Sequence, residues 1–218
     1  MVMATEVMRC ETSDDGVAVI ILDRPQAKNA LSRQLREDIK ACLTILAGDD
    51  AVKAAVLTGS GTTFCAGFDL KELAEGDPGH IFADAEAYHR AVHTFVKPII
   101  AAVNGPALAG GMDLAAMCDL RVAAASASFG QPQVKMGVPA AYGLIRTVVD
   151  EATARRLCLT GVRIGAEEAL ALGLVCAVTP EDGLMDYVMT LAQDIAASPA
   201  ASMMKAQFVD AQPKLFGA

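Results

Sequence analysis

The sequence predicts an α/β fold whose sheets are covered on both faces, and three observations carry that expectation. Short β-branched runs alternate with segments of helical periodicity along the chain, a pattern that argues for strands packed under helices. The chain is 53% hydrophobic and 20% charged, against roughly 45–50% and 25% in ordinary globular domains. No linker or shift in composition divides the 218 residues, so residues 1–218 are read as one domain, within the size that a single core can serve.

The elements follow in order. Gly16–Asp23, a continuous run of Val, Ala, Ile and Leu, reads as a buried strand. After the turn Asp23–Asn29, Leu35, Ile39, Cys42, Leu43 and Leu46 recur at helical spacing, which places a helix from about Ser32 to Ala47, stopped by Gly48. Val52–Thr58 is the next strand and empties into Gly59-Ser-Gly61. A short helix over Asp69–Glu75 ends in Gly76-Asp77-Pro78-Gly79, a polar segment expected to be mobile, and a helix from about Phe82 to Val96 follows. Pro98 introduces the strand Ile99–Val103, and the turn Gly105–Gly111 leads into a helix over Met112–Cys118. Asp119–Ala123 and Leu174–Val178 read as strands. Helices are expected over Ala152–Thr160, Ala166–Leu172 and Asp182–Ile195. The last stretch, from Ser198, reads as one helix anchored by Met203, Met204, Phe208 and Phe216, then a ragged tail broken by Pro213 and Gly217.

Eighteen Lys and Arg stand against 26 Asp and Glu, a net charge of −8. An acidic chain is a poor general ligand for nucleic acid or anionic membrane. The six cysteines are scattered, with no CxxC pair, so neither a zinc site nor a redox dithiol is expected. His89 and His93 have metal-pair spacing on a helix but lack an evident third ligand. Met1–Cys10 carries Glu6 and lacks an apolar core of the kind a secretory signal needs. Pro98–Met112, uncharged but broken by Pro106 and three glycines, is too short to cross a bilayer. With a mean hydropathy of +0.37, the apolar surplus is expected to fill a large core and subunit contacts, in a cytoplasmic oligomer.

Two places join a buried strand to a helix through an abrupt glycine turn: Ala66-Gly67-Phe68-Asp69 and Ala109-Gly110-Gly111-Met112-Asp113. Glycine permits strained geometry and close backbone approach. A helix beginning at once leaves N–H groups unpaired and aimed one way. If two such groups converged they would form an oxyanion hole. Neither turn is GxGxxG or GxxxxGK[ST], so nucleotide phosphate loops have little support.

From Gly16 to about Ser202 the chain resembles the crotonase, or enoyl-CoA hydratase/isomerase, superfamily. The segments that carry the resemblance are Leu22–Leu31, Val56–Leu70, Lys97–Leu114, Phe129–Gly137 and Leu159–Val175, in that order. It implies a crotonase-like spiral of repeated β-β-α turns with C-terminal helices, assembled as a homotrimer or homohexamer. It also implies an acyl-CoA substrate, with coenzyme A as the thioester part of the substrate and no separate cofactor or metal. Matched position by position, the oxyanion donors are the N–H of Phe68 and the N–H of Gly110. Ala66 and Leu70 match positions lining the CoA adenine pocket, while Arg24, Lys53 and Lys71 are candidates for its phosphates.

The family's hydratases handle water with two glutamates, and here those positions hold Asp113 and Gln133. Aspartate serves as a base at shorter reach, whereas glutamine orients but does not exchange a proton. Asp113 is therefore the one expected proton-transfer group and Gln133 a substrate-orienting one. Tyr142 is a candidate donor in the acyl pocket, and Glu72, His89 and His93 are within sequence reach of it. The readings carried forward are an acyl-CoA enzyme of hydratase/isomerase type, a malonyl-type acyl-CoA decarboxylase, and a non-catalytic acyl-CoA-binding paralogue. Members commonly continue into further C-terminal helices, so the helical region from about Asp182 is expected to be shortened.

Overall fold

Strand pairing organises the molecule. The computed structural model describes residues 2–75, 78–211 and 215. In chain order its strands are β1 (Val2–Ala4), β2 (Met8–Thr12), β3 (Val17–Leu22), β4 (Ala54–Gly59), β5 (Ile99–Val103), β6 (Ala107–Leu108), β7 (Leu120–Ala124), β8 (Ser128–Gly130), β9 (Arg163–Gly165) and β10 (Ala177–Thr179). The helices are α1 (Arg33–Gly48), α2 (Leu70–Glu75), α3 (Pro78–His93), α4 (Gly110–Met117), α5 (Tyr142–Ile145), α6 (Glu151–Thr160), α7 (Ala166–Ala171), α8 (Leu184–Ala196) and α9 (Ala201–Ala211).

The larger sheet runs β1-β2-β3-β4-β5-β7-β10, antiparallel at the β1 and β2 edge and parallel from β3 onward. A smaller sheet runs β6-β8-β9. The chain repeatedly leaves a strand of the large sheet, makes a short pairing beside it, and enters a helix. After β4 the short pairing is the bridge of Cys65 with Ala107, after β5 it is β6, and after β7 it is β8. This is the β-β-α spiral that the resemblance implies.

Both faces of the parallel sheet are covered, as the continuous apolar runs require. All residues of β4 and β5 are buried. Val56, Ile100, Ala102 and Val122 face Leu184, Val188 and Ala192 of α8, while Ala55, Leu57, Ile99 and Ala101 face the larger core with α1. The buried stripe of α1 contains the five residues expected from the sequence, and burying each large aliphatic contributes about 1.5–3 kcal/mol. Ser32 caps α1 by accepting from Leu35 N, and the Lys97 ammonium closes its other end on Leu46 O and Asp49 O.

Several boundaries and elements differ from expectation. The third helix starts at Pro78, four residues before Phe82, because proline is well suited to a first helical turn. It ends at His93, ahead of Val96. The fourth helix starts at Gly110, two residues before Met112. The strand expected at Leu174–Val178 is displaced to Ala177–Thr179, since Leu174 N and Val175 N both donate to Ala169 O at the end of α7. Strands β1, β2, β6, β8 and β9 were not expected. The C-terminal anchors are also corrected. Met203, Met204 and Phe208 are exposed, and α9 is held by Lys205, 2% exposed, whose ammonium lies 2.9 Å from Asp119 Oδ2 and over the Phe95 ring. The mobility expected at Gly76 and Asp77, and the tail residues Pro213, Phe216 and Gly217, lie outside the described residues. All six cysteines are free thiols, four of them buried, and no helix among the described residues is long and apolar enough to cross a membrane.

Candidate active site

The two glycine turns meet. Cys65 N donates to Pro106 O and Leu108 N donates to Cys65 O, so the chain after β4 runs beside the chain after β5. Gly67 has a φ of +99°, and a Cβ there would lie 2.9 Å from Leu108 O and 3.2 Å from Gly110 N. At Gly111 a Cβ would lie 2.0 Å from Cys65 O. Only glycine lets the turns close to this separation.

Phe68 pairs with Leu31: Leu31 N donates to Gly67 O and Asp69 N to Leu31 O, which leaves the Phe68 N–H outside the pairing. Gly110 N opens α4, where the first turn has no intrahelical acceptors. Among the described residues neither N–H has an acceptor. The first residue of the second turn is strained. Ala109 adopts φ 51° and ψ −125°, a conformation that costs a side-chain-bearing residue about 1–3 kcal/mol and is characteristic of functional turns.

Asp113 lies in the first turn of α4, 5% exposed. Burial pushes its carboxyl up to about 7, and the Gln131 amide, donating to Oδ1 at 2.8 Å, pulls in the opposite direction. Oδ2 has no protein partner among the described residues and is not sealed from solvent. Gln131, fully buried, accepts in turn from Gln133 Nε2 at 2.5 Å. The carboxylate fixes the orientation of both amides, because an ionised acid only accepts. Gln133 Oε1 is left buried and unpartnered among the described residues, a group that a ligand donor would satisfy. Asp113 and Gln133 are thus joined through Gln131, which the sequence reasoning passed over although it sits in the same Phe129–Gln133 segment.

Arg24 donates to Ala30 O at 2.5 Å and to Asp69 Oδ2 at 2.9 Å, locking the chain before α1 to the chain before α2. Ala66 N donates to Lys28 O, and Leu70 is 64% exposed at the start of α2. Tyr142 lies in the wall of a largely apolar cavity of about 610 Å³ with Val134, Val138, Pro139, Cys158 and Leu159. Its hydroxyl donates to Glu151 Oε1 at 3.3 Å. His89 places its ring edge-on to Phe68, 6.3 Å between centroids, and burial followed by the nearby Arg36 charge pushes its imidazole down to about 4. Glu72 accepts from Arg33 N and Arg36, whereas His93 neighbours Lys205 and Asp119. No cluster of three or more metal-type ligands occurs among the described residues.

The spiral of β-β-α turns, with two touching glycine turns over one buried carboxyl, defines a crotonase-fold protein. The model of the enoyl-CoA hydratase/isomerase family matches residues 12–214, and the chain belongs to that family. It is 38% identical over 198 residues to a probable enoyl-CoA hydratase of Mycobacterium tuberculosis, covering 89% of this chain and 77% of the relative. It is also 38% identical over 184 residues to the 2,3-dehydroadipyl-CoA hydratase of Escherichia coli, covering 83% and 72%. The crystal structure of an enoyl-CoA hydratase/isomerase from Xanthobacter autotrophicus superposes with a TM-score of 0.91 at 32% identity, covering 95% of this chain and 80% of that one.

Proposed function

We propose that this protein is an acyl-CoA enzyme of hydratase/isomerase type. In this reading the thioester carbonyl sits between the Phe68 and Gly110 N–H groups, and Asp113 moves the proton. The observation that carries the reading is the contact of the two turns, since a Cβ on Gly67 would lie 3.2 Å from Gly110 N. As a proton leaves the α carbon, the electron pair runs to the thioester oxygen, and each donor aimed at that oxygen is worth about 3–4 kcal/mol in the transition state. Asp113, with a carboxyl near 7, is poised to accept and return a proton close to neutral pH. Gln133 orients substrate or water without exchanging a proton.

One carboxyl suits reactions in which the same group takes and returns the proton, namely α-proton exchange and double-bond migration. Hydration in two-glutamate style lacks its second partner. The amide at Gln133 supports one further reading, decarboxylation of a malonyl-type CoA thioester, where departing CO₂ leaves the enolate and no second acid is required. Arg24, Ala66 and Leu70 serve the CoA side and Tyr142 the acyl side. Coenzyme A enters as part of the substrate, without a separate cofactor or metal. The chain acts as one domain within a cytoplasmic homotrimer or homohexamer.

The test is proton NMR in D₂O with 2-enoyl, 3-enoyl, saturated and malonyl-type CoA thioesters. Double-bond migration with deuterium at the α carbon supports the reading, and CO₂ release transfers it to decarboxylation. Tight binding with every thioester unchanged makes the protein a non-catalytic acyl-CoA binder.

A further inference from the structure

Arg36 stands outside the residues assigned to chemistry, yet it is 2% exposed and is among the largest fully buried side chains of the described residues. It projects from α1 toward the segment that runs through α2 and α3. Its Nη1 donates to Leu31 O at 2.8 Å and reaches Glu72 Oε2 at 3.4 Å, while Nε and Nη2 fork onto Asp84 Oδ2 at 3.1 and 2.8 Å. Lys40 completes the group, 3.3 Å from Asp84 Oδ1. A buried guanidinium is tolerated when its charge and its N–H groups are matched in this way.

Two of these contacts lead directly to the glycine turns. Leu31 O, the acceptor of Arg36 Nη1, also accepts from Asp69 N, and Leu31 N donates to Gly67 O, so Arg36 braces the short pairing that brackets Phe68. The guanidinium carbon lies 5.4 Å from the centre of the Phe68 ring. That ring also packs on the second turn: a Cβ on Gly110 would be 2.9 Å from Phe68 Cδ2 and Cε2, and 3.3 Å from Leu31 Cδ1. The Phe68 ring therefore has the guanidinium and the Gly110 backbone as neighbours, with the His89 ring edge-on to it.

We propose that Arg36 is a positioning residue for the thioester site: it holds the Phe68 ring against Gly110, sets the aim of both backbone donors, and ties that aim to the seating of α2 and α3 through Glu72 and Asp84. The catalytic part of this inference rests on the reading of Phe68 and Gly110 as oxyanion donors, whereas its geometric part does not. A guanidinium is required because one planar group serves Leu31 O, the Asp84 carboxylate and the ring. An ammonium is a point donor that cannot reproduce the fork and the stack together.

The experiment uses the full chain labelled with ¹⁵N, as wild type and as Arg36→Met, Arg36→Lys and Asp84→Asn. Three quantities are read for each: the amide resonances of Phe68 and Gly110, the affinity for butyryl-CoA, and its α-proton exchange rate in D₂O. In Arg36→Met both resonances should move together. Exchange should fall about 10²-fold, the scale of a misplacement near 1 Å, and affinity should fall by clearly less, because Ala66 and Leu70 share the braced segment but bind the ground state and the transition state alike. Arg36→Lys should recover only part of the loss, and Asp84→Asn should fall between wild type and Arg36→Met. Unmoved resonances, or exchange within about twofold of wild type in a folded Arg36→Met protein, overturn the proposal. So do equal losses of rate and affinity. Should Arg36→Met not fold, Asp84→Asn decides by the same criteria. If wild type exchanges no thioester proton, the functional reading fails by itself, and the two resonances still decide whether Arg36 sets the donors.

Discussion

The two halves of the site are built from different materials. The turn side, Gly67-Phe68 against Gly110-Gly111, is made of backbone and is fixed by clearances too small for a Cβ. The proton side is a chain of side chains, Gln133 to Gln131 to Asp113, held by two hydrogen bonds. A backbone N–H is the same donor whatever residue carries it, so a phenylalanine at position 68 keeps the donor and its ring bears only on where that donor points. Proton transfer depends on the functional group itself, so an amide at position 133 changes the chemistry open to the site. In the proposed reading, electrostatic stabilisation is retained while the acid/base equipment is reduced to one carboxyl.

The largest effect should come from breaking the turn side. Gly111→Ala places a Cβ 2.0 Å from a backbone oxygen that cannot yield, and we expect a loss of more than about 4 kcal/mol or failure to fold. Gly137→Ala is the control: its φ is +80° but no atom lies within 4 Å of the added Cβ, so the cost should be only about 1–2 kcal/mol of backbone strain. Urea denaturation of both variants measures the difference, and similar midpoints would contradict the close-contact account.

A smaller effect should come from loosening the proton side. Gln131 holds the Asp113 carboxyl down against the desolvation that raises it to about 7. As the proposed base, Asp113 works when ionised, so activity should rise with pH through that value. Gln131→Leu removes the lowering influence and moves the inflection to higher pH. From a start near 7, the first pH unit that the inflection moves should cut turnover at pH 7 about five- to sixfold and each further unit about tenfold, equivalent to about 1.4 kcal/mol, and turnover should return at alkaline pH. A kcat/KM profile measures this, and an unchanged or acid-shifted inflection would detach Gln131 from Asp113.

The same division explains what could be read from the sequence. Strands β3, β4 and β5 are continuous apolar runs and were legible from local pattern alone, as were the two glycine turns, whereas the pair Asp113 and Gln133 was marked out only by the family resemblance. Strands β8 and β9 are three residues each and exist through pairing with one another across the chain, so no local period marks them. On α9 the apolar residues suggested anchors, but the buried position is Lys205, because its partner Asp119 lies 86 residues away. Gln131 and Arg36 were missed for the same reason. A buried polar side chain is defined by distant partners, here Asp113 for one and Asp84 with Leu31 for the other.

The most direct test of the central claim, that backbone donors and a single carboxyl carry the chemistry, is α-proton exchange of a saturated acyl-CoA in D₂O by wild type and Asp113→Asn, with affinity measured alongside. The expected result is a fall in exchange of about 10²–10⁴-fold while affinity stays within about threefold, as expected when only a transition-state interaction is lost. Exchange at the wild-type rate in Asp113→Asn would contradict it and place the proton on another group.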